Sequence, residues 1–197
     1  MIQSFLSFFL NLLFPKLCYS CRQPGEFLCR DCSETLKLEK FTGRCPHCFN
    51  TLGIEETETC SHCLPSFSRK SFCLYTPSRA SLSLYSQACL GKLPAIKFFT
   101  RGIRKQWDLY EIRPKKIFYF ISKFPRDFAR QLSKETGIVY QGIFPLTGQL
   151  RKLKSHIDTG PICILSDYPL SRDWQDIIER YAPQPAVLMS LFSETLH

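Results

Sequence analysis

The chain lacks any apolar run long enough to cross a bilayer, which takes about twenty residues. The nearest approach, Ile2 to Phe14, is apolar and uncharged but much shorter. It has neither a basic leader nor a small-residue cleavage site, so it does not read as a secretion signal. Without Lys or Arg it also lacks the polar face of a membrane-surface helix. Phe5, Phe8, Phe9, Leu12 and Leu13 instead follow helical spacing. This predicts an apolar helix over 1–14 that packs on the rest of the chain or on a partner protein. The expected location is cytoplasmic. Histidine is scarce, with 4 in the chain, and beyond residue 70 only His156 and His197 remain to serve a nucleophile as base. No RRM-, homeodomain- or helix-turn-helix-like pattern occurs.

Cysteine, by contrast, is abundant at 11 residues, and eight of these fall into four CxxC pairs: Cys18/Cys21, Cys29/Cys32, Cys45/Cys48 and Cys60/Cys63. A CxxC on a tight turn aims two sulfurs at one point, and two such turns complete a tetrahedral thiolate set for zinc. A disulfide framework belongs to small secreted domains, and four pairs exceed what one redox site needs. Two Zn²⁺ ions on eight cysteines are therefore expected, with sequential and interleaved pairing both open. His47 and His62 sit inside the turns as bystanders, since each site already has four sulfurs. Cys73, Cys89 and Cys163 lie outside the array in apolar settings and are expected to be buried structural thiols.

The cysteine block, residues 15–66, is poor in aliphatic residues, so metal must supply most of its folding energy. Residues 70–197 are rich in Phe, Ile, Leu and Tyr and can form a core of their own. The formal net charge of +9 is concentrated in the first part of the second region: residues 74–159 carry 16 Lys+Arg against 5 Asp+Glu. Zn²⁺ bound by four thiolates is a dianion, so a polyanion would meet the middle of the chain rather than the cysteine block. The exposed basic candidates for single-stranded nucleic acid are Arg151, Lys152 and Lys154. Trp107, Tyr110, Phe118, Tyr119 and Phe120 also interleave with cations, but packing in a sheet is the simpler account.

After a linker over 65–70, the pattern predicts strands at 71–75, 117–121, 138–140, 162–165 and 186–192. Helices are expected at 78–89, 94–107, 125–137 and from Ser171 or Asp173 to Tyr181, with Gly91 and Gly102 as weak points. Alternation of this kind implies an α/β fold, a mainly parallel sheet covered by helices on both faces. Ligands of such sheets sit beyond the carboxyl ends of the strands, here at Leu165 to Asp173.

With Leu12-Leu13-Phe14-Pro15 ahead of the cysteines, then Cys45-Pro-His-Cys48, Cys60-Ser-His-Cys63-Leu64 and the entry strand Phe67 to Tyr75, the chain resembles the ComF family. Phe124 to Gly137 and Ile162 to Phe192 extend the likeness. That resemblance implies a double zinc ribbon followed by a type I phosphoribosyltransferase-like domain, and a link to DNA uptake (competence). In active members two adjacent acids after the strand hold the ribose, and a Thr-Thr-Gly run cradles the 5′-phosphate of phosphoribosyl pyrophosphate. Here Ser166 takes the first acid position, leaving Asp167, and Pro169-Leu170-Ser171-Arg172 replaces the phosphate run. Pro169 has no N–H to donate and no glycine permits a tight nest. The family's Arg-Gly-Phe-Asn segment is missing and residues 140–160 are short for its flap. The implied protein is thus a shortened, non-catalytic relative. The alternative is a phosphoribosyltransferase, or a binder of a phosphorylated ligand, using Asp167, Ser171 and Arg172, with Mg²⁺ if active.

Overall fold

The computed structural model describes residues 12–36, 38–39, 43–46, 49, 52–53, 59–61, 70–120, 126–143, 160–181 and 186–193. A short helix, α1 (Arg30–Glu34), lies in the cysteine block. The body then runs β1 (Lys70–Tyr75), α2 (Arg79–Cys89), α3 (Leu93–Leu109), β2 (Lys116–Phe120), α4 (Arg126–Thr136), β3 (Val139–Ile143), β4 (Ile162–Ser166), α5 (Arg172–Tyr181) and β5 (Ala186–Phe192). The strands form one five-stranded sheet in the order β1-β5-β4-β2-β3, with every neighbouring pair parallel.

Sequence punctuation fixes most of the boundaries. Ser78 closes a capping box with Ser81 at the start of α2. Gly91, at φ +76°, lets the chain turn from α2 into α3, where Pro94 occupies the first turn. Gly137, at φ +74°, ends α4. β1 begins one residue inside the expected linker, at Lys70. The central strands are buried on both faces, which is why they read as continuous apolar runs.

Two cores follow from this layering. On one face α2, α3 and α4 place Leu84, Phe99, Ile103, Phe128 and Leu132 against Ile117, Tyr119, Cys163, Leu165 and Leu191. On the other, α5 places Ile178 against Phe118, Phe120, Ile164 and Leu188. Each fully buried side chain of this size contributes about 1.5–3 kcal/mol. Trp107, Phe118, Tyr119 and Phe120 are all buried, so they pack the sheet and offer no stacking platform.

Gly102 is no weak point. A Cβ there would lie 2.6 Å from the hydroxyl oxygen of Tyr75, so the absence of a side chain is what lets α3 approach the end of β1.

The cysteine block is stitched to the body. Leu38 forms an antiparallel bridge with Tyr75. Glu39 donates its N–H to the Leu74 carbonyl at 2.8 Å, and Ser71 donates to the Pro46 carbonyl at 2.8 Å. Ser83 Oγ bonds the Tyr19 carbonyl at 2.7 Å, and Tyr19, Leu28, Leu36 and Leu38 pack on the α2–α4 core. Of the expected helix over 1–14, residues 1–11 lie outside the described residues. Leu12, Leu13 and Phe14 are exposed, so its end does not pack on the body. Among the described residues, no helix is long and apolar enough to cross a membrane.

Candidate metal centre and strand-end site

The sulfurs of Cys18, Cys21, Cys29 and Cys32 all lie within 4.8 Å of one another. A tetrahedral site with metal–sulfur bonds of about 2.3 Å has edges of roughly 3.8 Å, so the four need contract only slightly to enclose an ion. The first two CxxC pairs thus come together in sequential order. The first knuckle is held by backbone bonds: Gly25 N–H to Lys16 C=O at 2.8 Å, Cys18 N–H to Gln23 C=O at 2.8 Å, and Arg22 N–H to Cys18 C=O at 3.0 Å. Arg22 sits at φ +67°. The second half of the site, Cys29 and Cys32, is carried into α1, and Cys29 N–H points at the Cys18 sulfur at 3.5 Å.

The thiols do not behave alike. Burial pushes Cys18 up, but the amides of Cys21, Cys29 and Ser20 outweigh it and bring the thiol down to about 6. At Cys29 the Cys32 amide favours the thiolate, yet burial and the sulfurs of Cys21, Cys32 and Cys18 together push it up to about 12. One thiolate thus opposes ionisation of the next, as a cluster awaiting a cation must. A soft divalent ion removes the conflict by taking all four as thiolates.

The second array repeats the first knuckle. Leu52 N–H donates to Gly43 C=O at 2.9 Å and Phe49 N–H to Cys45 C=O at 2.8 Å, the same offsets from Cys45 as the bonds around Cys18. Phe49 takes φ +66°, matching Arg22. Cys45 and Cys60 are buried; Cys48 and Cys63, and with them His47 and His62, lie outside the described residues. Arg44 braces this knuckle, stacking 5.0 Å over the Phe49 ring and pairing with Glu39 at 3.3 Å.

The second candidate site lies at the carboxyl ends of the strands. The chain leaves β2 through α4 on one face and β4 through α5 on the other, so the switch point at which open α/β sheets take ligands lies between β2 and β4. Residues 121–125, which follow β2 in the sequence, lie outside the described residues. Asp167 follows β4, as expected, but it is engaged within the protein. Its Oδ1 accepts from Tyr168 N–H at 3.0 Å, and its Oδ2 faces the Tyr85 hydroxyl at 3.5 Å. Ser166, in the first acid position, is buried and donates to the Tyr168 carbonyl at 2.7 Å. Leu170 is buried, and Gln175 Nε2 holds its carbonyl at 2.8 Å. Ser171 is exposed just before α5, and Arg172 opens that helix.

Sequence reasoning missed Tyr85 and Cys89, which α2 brings to Asp167. Burial and then the Asp167 charge push the Tyr85 hydroxyl up. Cys89 is exposed overall rather than buried. The protein on its inner side and the charge of Asp167 push its thiol up, so it is a poor nucleophile. Cys73 and Cys163 are buried as expected. Arg151, Lys152 and Lys154 lie outside the described residues.

Fold and sites together define an α/β protein with a four-cysteine cluster that could hold a metal ion, in a block joined to one edge of a parallel sheet. No protein-family model, curated protein or solved structure matches the chain significantly.

Proposed function

We propose that the chain is a ComF-like zinc protein whose transferase-like domain is non-catalytic, and that it serves as an adaptor or nucleic-acid-handling factor linked to DNA uptake. The observation that carries this reading is the loop after β4. Asp167 is engaged by Tyr168 and Tyr85, Ser166 is buried, and a proline followed by a buried leucine stands where phosphate-binding amides would be needed. Loss of an acid and of a phosphate nest in one loop removes both ribose and phosphate anchoring, whereas the metal knuckle is intact. In this reading all eight CxxC cysteines hold two zinc ions, and the repeated backbone bonds at Cys45 support the second. Cytoplasmic location and a protein partner belong to the same proposal.

Titration calorimetry with phosphoribosyl pyrophosphate and Mg²⁺ tests it. The expected result is no resolvable heat. Tight binding that Asp167→Ala abolishes overturns the non-catalytic reading in favour of a phosphoribosyl-pyrophosphate protein using Asp167, Ser171 and Arg172. Elemental analysis should give two zinc ions per chain, falling to one in Cys45→Ser.

A further inference from the structure

We infer that the outer face of α3 and α4 is the surface that takes single-stranded nucleic acid, with phosphates along Lys97, Arg101 and Lys105 and an unpaired base in the cavity between the helix ends. This rests on the nucleic-acid reading above and assigns it a place that differs from the basic segment 149–154. Lys97, Arg101 and Lys105 recur every four residues of α3. They therefore form one stripe with about 6 Å between cations, a step an extended strand of phosphates can follow. Arg101 and Lys105 are exposed and Lys97 half-buried. Among the described residues none of the three has an acidic partner. The acids of these two helices are already engaged: Asp108 with Arg113 at 3.6 Å, Asp127 with Arg130 at 3.3 Å, and Glu135 with Arg104 at 3.5 Å. The stripe is left with uncompensated positive charge, and α4 carries two further exposed cations, Arg126 and Lys134.

The second observation chooses single strand over duplex. Where α3 and α4 end, a cavity of about 330 Å³ opens between them, walled by Trp107, Ile112, Pro114 and Ile138 with the guanidinium groups of Arg104 and Arg113. It is of ligand size. Its two cations face Asp108 and Glu135, so the lining is formally neutral. A free anion gains little there. A flat, uncharged ring gains the exposed planar guanidinium groups of Arg104 and Arg113 to stack on, and the base of a strand already held by its phosphates is such a ring. A duplex keeps its bases paired and cannot fill the cavity.

The test is fluorescence anisotropy of the full metal-loaded chain with a labelled fifteen-nucleotide oligothymidylate, across a salt series. Substituting Lys97, Arg101 and Lys105 by Gln should weaken binding at least tenfold. It should also lower the slope of log affinity against log salt by about 2, at roughly 0.7 per phosphate contact in a single strand. Neutralising Arg151, Lys152 and Lys154 should change affinity less than threefold. An abasic strand of equal length should bind at least fivefold more weakly, and a duplex more weakly than the oligothymidylate. Loss of binding in the 151–154 variant alone would overturn the assignment while leaving the nucleic-acid reading standing. Equal affinity for the abasic strand or the duplex overturns the base-in-cavity placement. No binding by the unmodified chain at low salt overturns both.

Discussion

The amide of Glu39 donates to the carbonyl of Leu74 at 2.8 Å, and this bond places the chain that follows the first four-cysteine cluster on the edge of the sheet. Leu38 pairs with Tyr75 beside it, Gln106 Nε2 reaches the Glu39 carbonyl at 3.4 Å, and the Glu39 carboxylate takes the Thr76 hydroxyl. One residue thus touches strand, helix and knuckle, through Leu74, Gln106 and Arg44. The cysteine block is a brace on β1, which among the described residues pairs within the sheet with β5 alone.

Metal removal should therefore be felt by the whole chain. If the knuckles unfold without metal, these joints open, and each hydrogen bond contributes about 0.5–1.5 kcal/mol. A loss of about 2 kcal/mol lowers the melting temperature of a chain this size by roughly 4–8 °C. Calorimetry of native and chelator-treated protein should show the main transition, the one that exposes Trp107 and Trp174, shifted down by that amount. An unshifted transition would mean that the body stands without its brace.

What the sequence discloses and what it hides divides along side chain and backbone. Ile117–Phe120 reads as a central strand because both its faces are buried, and Ser78 and Gly137 mark helix ends because capping and positive φ need those residues. The cysteine spacing discloses the Cys18–Cys32 site for the same reason. The knuckle repeat is invisible, because Tyr-Ser-Cys-Arg and Pro-His-Cys-Phe share only the cysteine while the repeated bonds are all main chain. The Leu38–Tyr75 bridge is equally silent. Tyr85 reaches Asp167 across 82 residues, a contact set by the crossover from β1 over the sheet and by nothing local to either residue.

Arg22 is a position to relieve. A side chain at φ +67° costs about 1–2 kcal/mol relative to ordinary backbone, and Arg22 directly follows Cys21, one of the four clustered cysteines. Arg22→Gly should raise the stability of the metal-loaded protein by up to about 1 kcal/mol, part of the strain relief being offset by glycine's freedom in the unfolded chain. Arg22→Val should lower it and speed metal loss to a chelator. The rate of metal transfer to a coloured chelator, slow in Arg22→Gly and fast in Arg22→Val, checks the order; the reverse order would rule out backbone strain at the knuckle.

Cys163 should make stability fall at alkaline pH. Full burial pushes its thiol up to about 12, against an ordinary value of 9.0. Its folded pKa is the higher one, so its contribution is complete below about pH 9 and is lost as pH rises towards 12. Buried tyrosines add a parallel loss. The Cys163 share is isolated by comparing Cys163→Ala with the parent in urea unfolding between pH 8 and 11. The variant should be the less stable at pH 8, from its cavity, and should lose stability less steeply with pH. Parallel curves would show that the thiol does not stay neutral in the folded core.

Gly102 and Tyr75 should be coupled, with a change of sign. In a helix interior, Gly→Ala ordinarily stabilises by about 0.5–1 kcal/mol. At residue 102 the new methyl would meet the Tyr75 hydroxyl at 2.6 Å. Tyr75 cannot swing away, since it is buried, stacked with Phe98 at 5.6 Å and packed edge-on to Phe99 at 5.8 Å. Gly102→Ala should thus destabilise the parent by about 1–3 kcal/mol, the cost of overpacking a filled site. Tyr75→Phe removes the clashing oxygen and keeps the ring, so in that background the same substitution should become neutral or stabilising. Urea unfolding of the four proteins gives an interaction energy directly. A value near zero would mean that α3 slides past β1 to absorb the methyl, and that the close approach of helix to strand is not fixed by glycine.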